Sequence, residues 1–280
     1  MLFSGAKKEA FAIHERAVSK YNTTLANVQK KCEELYVTRQ QCVIKIEEIE
    51  RLINSIANTP KEFECSLSLI KTERMKFRET ESYAAEAYQN AIKSGVGVAA
   101  SVGAGAAVAS LAPTAAMWVA TTFGTASTGT AISTLSGAVA TKAALAWLGG
   151  GALTAGGAGV AGGQALLALA GPIGWGITAF TTAGSVVALG SKNKKISNEA
   201  IEEAKEITIA GAKLNETGAV VSNIHSETKL LLDNIKEQLS QANPLEGCDY
   251  SAISSDEQLL LGTLVNNTLS LAVMLNKTVA

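Results

Sequence analysis

Charge is missing from the middle of this chain. From Ser94 to Ser191 the only charged side chain is Lys142, and the same stretch holds 20 of the 25 glycines. A soluble domain of about a hundred residues needs a charged face toward water, so that class is excluded for this tract. Disorder is excluded as well, because Leu, Ile, Val, Phe, Met and Trp recur through it while Pro, Glu and Lys nearly vanish. The composition predicts a helical transmembrane region rich in glycine and alanine.

Other scarcities narrow the function. There are two histidines, neither placed beside a nucleophile or a paired carboxylate, so no catalytic site is expected and the chain reads as a non-enzyme without cofactor or metal. Gly157-x-Gly159-x-x-Gly162 matches a dinucleotide fingerprint, but no strand is predicted before it. The next acidic residue, Glu199, also comes too late for a ribose contact. Cys32, Cys42, Cys65 and Cys248 are too scattered for a metal site and read as free thiols in a reducing compartment. The opening MLFSGAKKEAFAIHE has no apolar core of signal-peptide length, so the N-terminal region is expected to stay in the cytosol. The net charge is -1, with 15 basic and 13 acidic residues in 1–93 and 8 and 12 in 192–280. Direct binding of a nucleic acid polymer therefore has no electrostatic support.

What the flanks do have is helical periodicity. With His14 and Arg39 as two polar intrusions, apolar residues alternate at spacings of three and four from Phe11 through His14, Val18, Tyr21, Leu25, Val28, Cys32, Leu35, Arg39, Cys42, Ile46, Ile49 and Ile53 to Ile56. Asn58-Thr59-Pro60 ends that helix, and a second seam follows: Phe63, Leu67, Ile70, Arg74, Phe77, Glu81, Ala84, Tyr88, Ala91. Folding back at Asn58–Pro60 sets Ile56 against Phe63, Ile49 against Ile70, Cys42 against Phe77 and Leu35 against Ala84. An antiparallel coiled-coil hairpin is expected over 1–93, with Arg39 opposite Glu81 as a register pair. A Leu at either position should cost little stability and loosen alignment. Residues 5–27 keep the heptad beyond the reach of the second helix, so they need another partner: the C-terminal helix or the same segment of another subunit. His14 occupies a d position, as a partly buried polar residue near a fraying end or as a pH-sensing or register element.

After the basic cluster Lys192–Lys195, a long helix is predicted over about 196–242, with His225 off its seam and solvated. Asn243-Pro244 breaks it, and Ser254-x-x-Glu257 reads as a capping box opening a last helix near 255–277. Its leucines could dock on the bundle or bind a regulatory partner.

The uncharged tract divides into four apolar stretches, about 95–117, 121–141, 143–163 and 167–190, each long enough to cross a bilayer. Four crossings place Lys93, Lys142 and Lys192–Lys195 on one side, with outer turns near Pro113–Trp118 and Gln164–Pro172. The alternative is two crossings, with 121–163 as a re-entrant or interfacial loop. Ten of the 21 residues in 121–141 are Ser or Thr. Of these, Thr125, Thr128, Ser133, Thr134 and Ser136 are candidate pore-lining residues, with close packing of small side chains as the equal alternative. Gly151, Ala155, Gly159 and Gly163 form a small-xxx-small face, the candidate helix-packing surface.

The runs Pro113-Thr114-Ala115-Ala116-Met117, Thr121 to Ile132 (TTFGTASTGTAI), Trp147-Leu148-Gly149-Gly150-Gly151 and Leu169 to Trp175 (LAGPIGW) resemble a family of bacterial membrane proteins with cytosolic coiled coils. The likeness extends back through Pro60-Lys61-Glu62-Phe63 and covers most of the chain. In layout the chain is also similar to membrane effectors of anti-phage systems such as the Hailong-type channel subunit, in which a partner enzyme's nucleic acid-like product holds the channel shut. No ligand-binding or gating motif matches residue by residue, so the resemblance carries no site across.

The expected fold is thus all-α, cytosolic antiparallel coiled coils on a helical transmembrane region rich in glycine and alanine. It comprises a cytosolic coiled-coil hairpin over 1–93, the transmembrane region over 94–191, and a cytosolic long helix plus a C-terminal helix over 192–280. The expected function is an oligomeric channel or pore in a bacterial inner membrane, multi-pass with both termini cytoplasmic. Its partners would be the lipid bilayer, further copies of itself, and a cytosolic regulatory protein or small ligand. A non-conducting scaffold that presents its coiled coil is the alternative. A soluble pore-former that hides its apolar segment until it meets a membrane is the third.

Overall fold

A computed structural model describes residues 2–93, 112–124, 126, 130–148 and 193–278. Among them the chain is all-helical, with no strand: α1 Leu2–Ser55, α2 Lys61–Lys93, α3 Ala112–Phe123, α4 Gly137–Leu148, α5 Asn193–Ala242 and α6 Ser255–Met274. Two compact units emerge, Met1–Lys31 with Tyr83–Ala219, and Cys32–Ser82 with Val220–Ala280.

The second unit is a four-helix arrangement whose core comes from the predicted seams. Leu35, Cys42, Ile46, Ile49, Ile53 and Ile56 of the first seam are buried, as are Phe63, Ile70 and Phe77 of the second. Each fully buried Leu, Ile or Phe side chain contributes about 1.5–3 kcal/mol. Arg74 of α2 reaches Glu47 and Glu50 of α1, while Glu81 reaches Tyr36 and Gln40, so numbers rise along one helix as they fall along the other. The two helices therefore lie antiparallel. α5 and α6 are antiparallel too, through Asn267 to Gln238 and Lys277 to Glu227. α6 docks with Leu261, Leu264, Val265, Leu271 and Leu275 inward and leaves Leu259 exposed.

The turns of these two hairpins are stitched together. α1 stops at Ser55, and Asn58 takes a positive φ of 55°, a left-handed conformation that asparagine tolerates better than most residues. Ala57 N–H donates to Cys248 O (2.9 Å) and Tyr250 N–H donates to Ala57 O (2.9 Å), an isolated parallel bridge between the connections. Asn58 Nδ2 donates to Asp249 Oδ2 (2.8 Å), and the Phe63 and Tyr250 rings meet edge to face. α6 then opens on the capping box foreseen at Ser254 and Glu257.

In the first unit, α1 and α5 run side by side and parallel. Tyr21 faces Gly211 and Val28 faces Gly218, while Lys31 Nζ donates to the Gly218 carbonyl (3.4 Å). Of the two partners open to residues 5–27, the C-terminal long helix is the one seen. Burial follows it: Tyr21, Leu25 and Val28 are inside, whereas Phe11 is 47 % exposed.

The two glycines, one heptad apart, make opposite predictions. A Cβ at Gly218 would lie 2.7 Å from Val28 Cγ2, whose β-branched side chain is stiff at χ1. At Gly211 the nearest atom is Tyr21 Cδ2 at 3.7 Å, an ordinary contact. Gly211→Ala should therefore stabilise by up to about 1 kcal/mol through helix propensity. Gly218→Ala should destabilise by about 1–2 kcal/mol through overpacking. Thermal unfolding of the two single variants beside the parent reads the opposite signs directly.

Candidate functional site

The described part of the uncharged tract is a short helical hairpin in the first unit. α3 runs from Ala112 to Phe123 and places Pro113 in its first turn, where a missing N–H costs nothing. The outer turn expected near Pro113–Trp118 therefore lies inside a helix instead. Met117 to Phe123 are buried without a break, Trp118 at 1 % exposure, so every face of this part of α3 is covered by protein. Trp118 meets Phe123 edge to face at 5.6 Å. The Thr121 hydroxyl lies 2.8 Å from the Met117 carbonyl and 3.0 Å from that of Trp118, which satisfies it within its own helix.

The predicted crossing 121–141 is not one helix. α3 ends at Phe123, a 3-10 turn occupies Ile132–Thr134, and α4 starts at Gly137 with φ 61°. Gly124 sets the break: its N–H donates to Ala120 O (3.0 Å) and its carbonyl accepts from Ile132 N–H (2.9 Å). A Cβ there would sit 2.3 Å from Ala120 O and 2.8 Å from Ile132 Cδ1. Hydroxyl-bearing sequence offers the backbone local partners other than a helix ladder, as the bond from Thr134 Oγ1 to the Ala131 carbonyl does in this turn. Tyr83 of α2 donates its hydroxyl to the Gly137 carbonyl (3.3 Å) at the start of α4.

The candidate pore-lining residues that are described gather on this turn and not along a helix face. Ser133, Thr134 and Ser136 are all exposed, and Thr134 Oγ1 donates to Ala131 O (2.8 Å). Thr125 and Thr128 lie outside the described residues, as do Gly151, Ala155, Gly159 and Gly163. α3 and α4 are 12 residues each, about 18 Å at 1.5 Å per residue. No helix among the described residues is long and apolar enough to cross a membrane.

In the second unit the expected Arg39–Glu81 pair is not formed. Arg39 is wholly buried and donates from Nη2 to the Lys277 carbonyl (2.6 Å). Burial pulls its guanidinium down to about 10, still charged at neutral pH. Glu81 accepts instead from Tyr36 Oη (2.9 Å) and Gln40 Nε2 (3.2 Å). The physical reason is that α1 is flanked by more than one helix, so a seam residue placed between two helices can look past α2. Arg74 forks onto Glu47 and Glu50, each at 2.8 Å, and takes the register role. The signal was present, two α1 glutamates three apart opposite an arginine that interrupts the α2 seam. Burial raises Glu50 above the usual carboxylate range, with Arg74 pulling the other way.

His225 is half-buried, not solvated, with Nε2 3.0 Å from Thr38 Oγ1. The Thr38 hydroxyl donates its one proton to Glu34 O, so its oxygen accepts from His225 Nε2–H. The cysteines are in the thiol form, Cys32 and Cys42 buried and Cys65 exposed, and burial pushes the Cys42 thiol up to about 12. Among the described residues no three His, Cys, Asp or Glu side chains are placed to hold a metal. Comparison with protein families, curated proteins and solved structures finds no match for the chain.

Two tests follow from these positions. Arg74→Met should destabilise the second unit by about 1.5–3 kcal/mol, since it strips a charged fork from two glutamates. Urea unfolding should show Glu81→Gln costing clearly less, because an amide oxygen still accepts from Tyr36. In native protein a thiol reagent should label Cys65 first and leave Cys32 and Cys42 unmodified until denaturant is added, as intact-mass spectra will show.

Proposed function

We propose that the chain is an oligomeric membrane channel or pore, gated by the helical regions on either side of residues 94–191. One observation carries this reading: α2 ends at Lys93 and α5 begins at Asn193, so the long charged helices run to the two edges of the uncharged tract. A displacement of either helix is, on this reading, carried to an edge of the tract. On this reading the heptad-seamed flanks act as cytosolic antiparallel coiled coils, and the tract lies in a bacterial inner membrane with both termini on the cytoplasmic side. The break at Gly124 favours two crossings, with 121–163 as a re-entrant or interfacial loop, over four. Ser133, Thr134 and Ser136, exposed on the turn, line a water-filled lumen on this reading. The layout suits an anti-phage or abortive-infection effector held shut by a cytosolic protein or small ligand.

A second reading has its own support. The unbroken burial of Met117–Phe123 suits a form that shelters its apolar segment inside protein before insertion.

Dye efflux separates these readings. Protein reconstituted into liposomes, with insertion confirmed, should release a trapped dye at least ~10-fold faster than protein-free vesicles, and Gly159→Leu with Gly163→Leu should change that rate by tightening a close-packed face. Release by protein added, without detergent, to preformed vesicles marks the sheltered form. Silence from inserted parent and variants leaves a closed channel or the non-conducting scaffold, and deletion of residues 1–57 separates the two, since it should open a channel and do nothing to a scaffold.

A further inference from the structure

We infer that Leu275–Lys277, the segment just after α6, is a releasable latch that holds α6 against the second unit. This segment is gripped by one side chain or backbone group from each of the other three helices. Arg39 of α1 donates to the Lys277 carbonyl at 2.6 Å. Asn276 Nδ2 donates to the backbone carbonyl and to Oε2 of Glu73 on α2, each at 2.8 Å. Lys277 Nζ pairs with Glu227 of α5 at 2.8 Å. Leu275 is wholly buried between these contacts.

The two ends of α6 are held by different means. At its start the chain is covalently continuous with the stitched turns and carries a capping box. At its end the described residues run on to 278, and this cluster of polar contacts is added to the burial of Leu271, Ala272 and Leu275. The middle of α6 is also the softer part of its seam, with Asn267 spent on Gln238 and Thr268 on its own Leu264 carbonyl. Opening therefore starts at Lys277 and runs back toward Asn267. The contacts differ in weight: Lys277–Glu227 is an exposed pair and contributes little, whereas Arg39 holds a carbonyl from a fully buried position. A guanidinium that keeps its charge inside the unit needs an acceptor, and Lys277 brings one on a short segment at the end of a helix. Release of the latch would uncover α5, the helix that borders the uncharged tract; this regulatory role rests on the channel reading, while the latch itself does not.

Hydrogen exchange read by mass spectrometry on the full-length protein tests the latch. The variant Asn276→Ala with Glu227→Ala removes two of the three grips and leaves the core side chains in place. Amides of 266–274 should exchange at least ~10-fold faster than in the parent, while those of 42–53 in α1 stay within about twofold. Arg39→Met should give the same pattern more strongly. Unchanged exchange in 266–274, or an equal rise in α1, overturns the latch, since the contacts are then idle or merely part of the common core. Dye efflux from the same proteins in liposomes is the separate arm. Faster exchange with faster efflux supports gating by the latch. Faster exchange with unchanged efflux leaves the latch standing and removes its role in a channel.

Discussion

Everything described depends on the need to cover the apolar stripe of α1. That stripe runs along a 54-residue helix, whereas the antiparallel partner α2 has 33 residues. An uncovered seam would leave several large side chains in water, at about 1.5–3 kcal/mol each. In the second unit α1 is joined by α2, α5 and α6, and the burial of Tyr36, Val43 and Leu52 beside the seam shows how far the covered face has widened. In the first unit α5 lies parallel to α1, and Gly218 allows a close approach over Val28.

Polar groups then decide the alignment that apolar burial leaves open. Apolar contact is non-directional and tolerates a heptad slip. The Arg74 fork onto Glu47 and Glu50 does not, and neither does the two-bond bridge between Ala57 and its partners Cys248 and Tyr250. The bridge joins the two hairpin turns, so the α1–α2 and α5–α6 connections set one another's position. Arg39 belongs to the same economy of directed contacts. Its value lies in geometry, because a fully buried charge returns little net stability once desolvation is counted.

The uncharged tract follows a different logic. Its described helices are short, and the break between them comes from one glycine that admits Ile132 over its backbone and from hydroxyls that bond locally. An enclosed helix such as α3 has no amphipathic stripe to read. A proposed channel gains from that arrangement, since short helices joined by a hydroxyl-bearing turn can change packing without breaking a long one.

Local periodicity made much of this chain legible. Heptad spacing from Tyr21 to Ile56 marked the buried face of α1, Asn58-Thr59-Pro60 and Asn243-Pro244 marked the turns, and Ser254 with Glu257 marked the start of α6, because each signal acts within a few residues of itself. The all-helical class of the described residues follows from the same short-range physics. The partner of each charged residue was not legible: Arg39 finds Lys277 and not Glu81, and His225 finds Thr38 and not water. Those pairings join residues 187 and 238 positions apart, and they depend on a third and a fourth helix that no two-helix register can include. Composition likewise marked 94–191 as a tract apart, yet only close contact between Gly124, Ala120 and Ile132 decided that 121–141 turns instead of crossing as one helix. Sequence by itself determined which faces are apolar and where helices stop; the tertiary structure decided what covers each face, because coverage is settled by steric fit and directed hydrogen bonds between segments far apart in the chain.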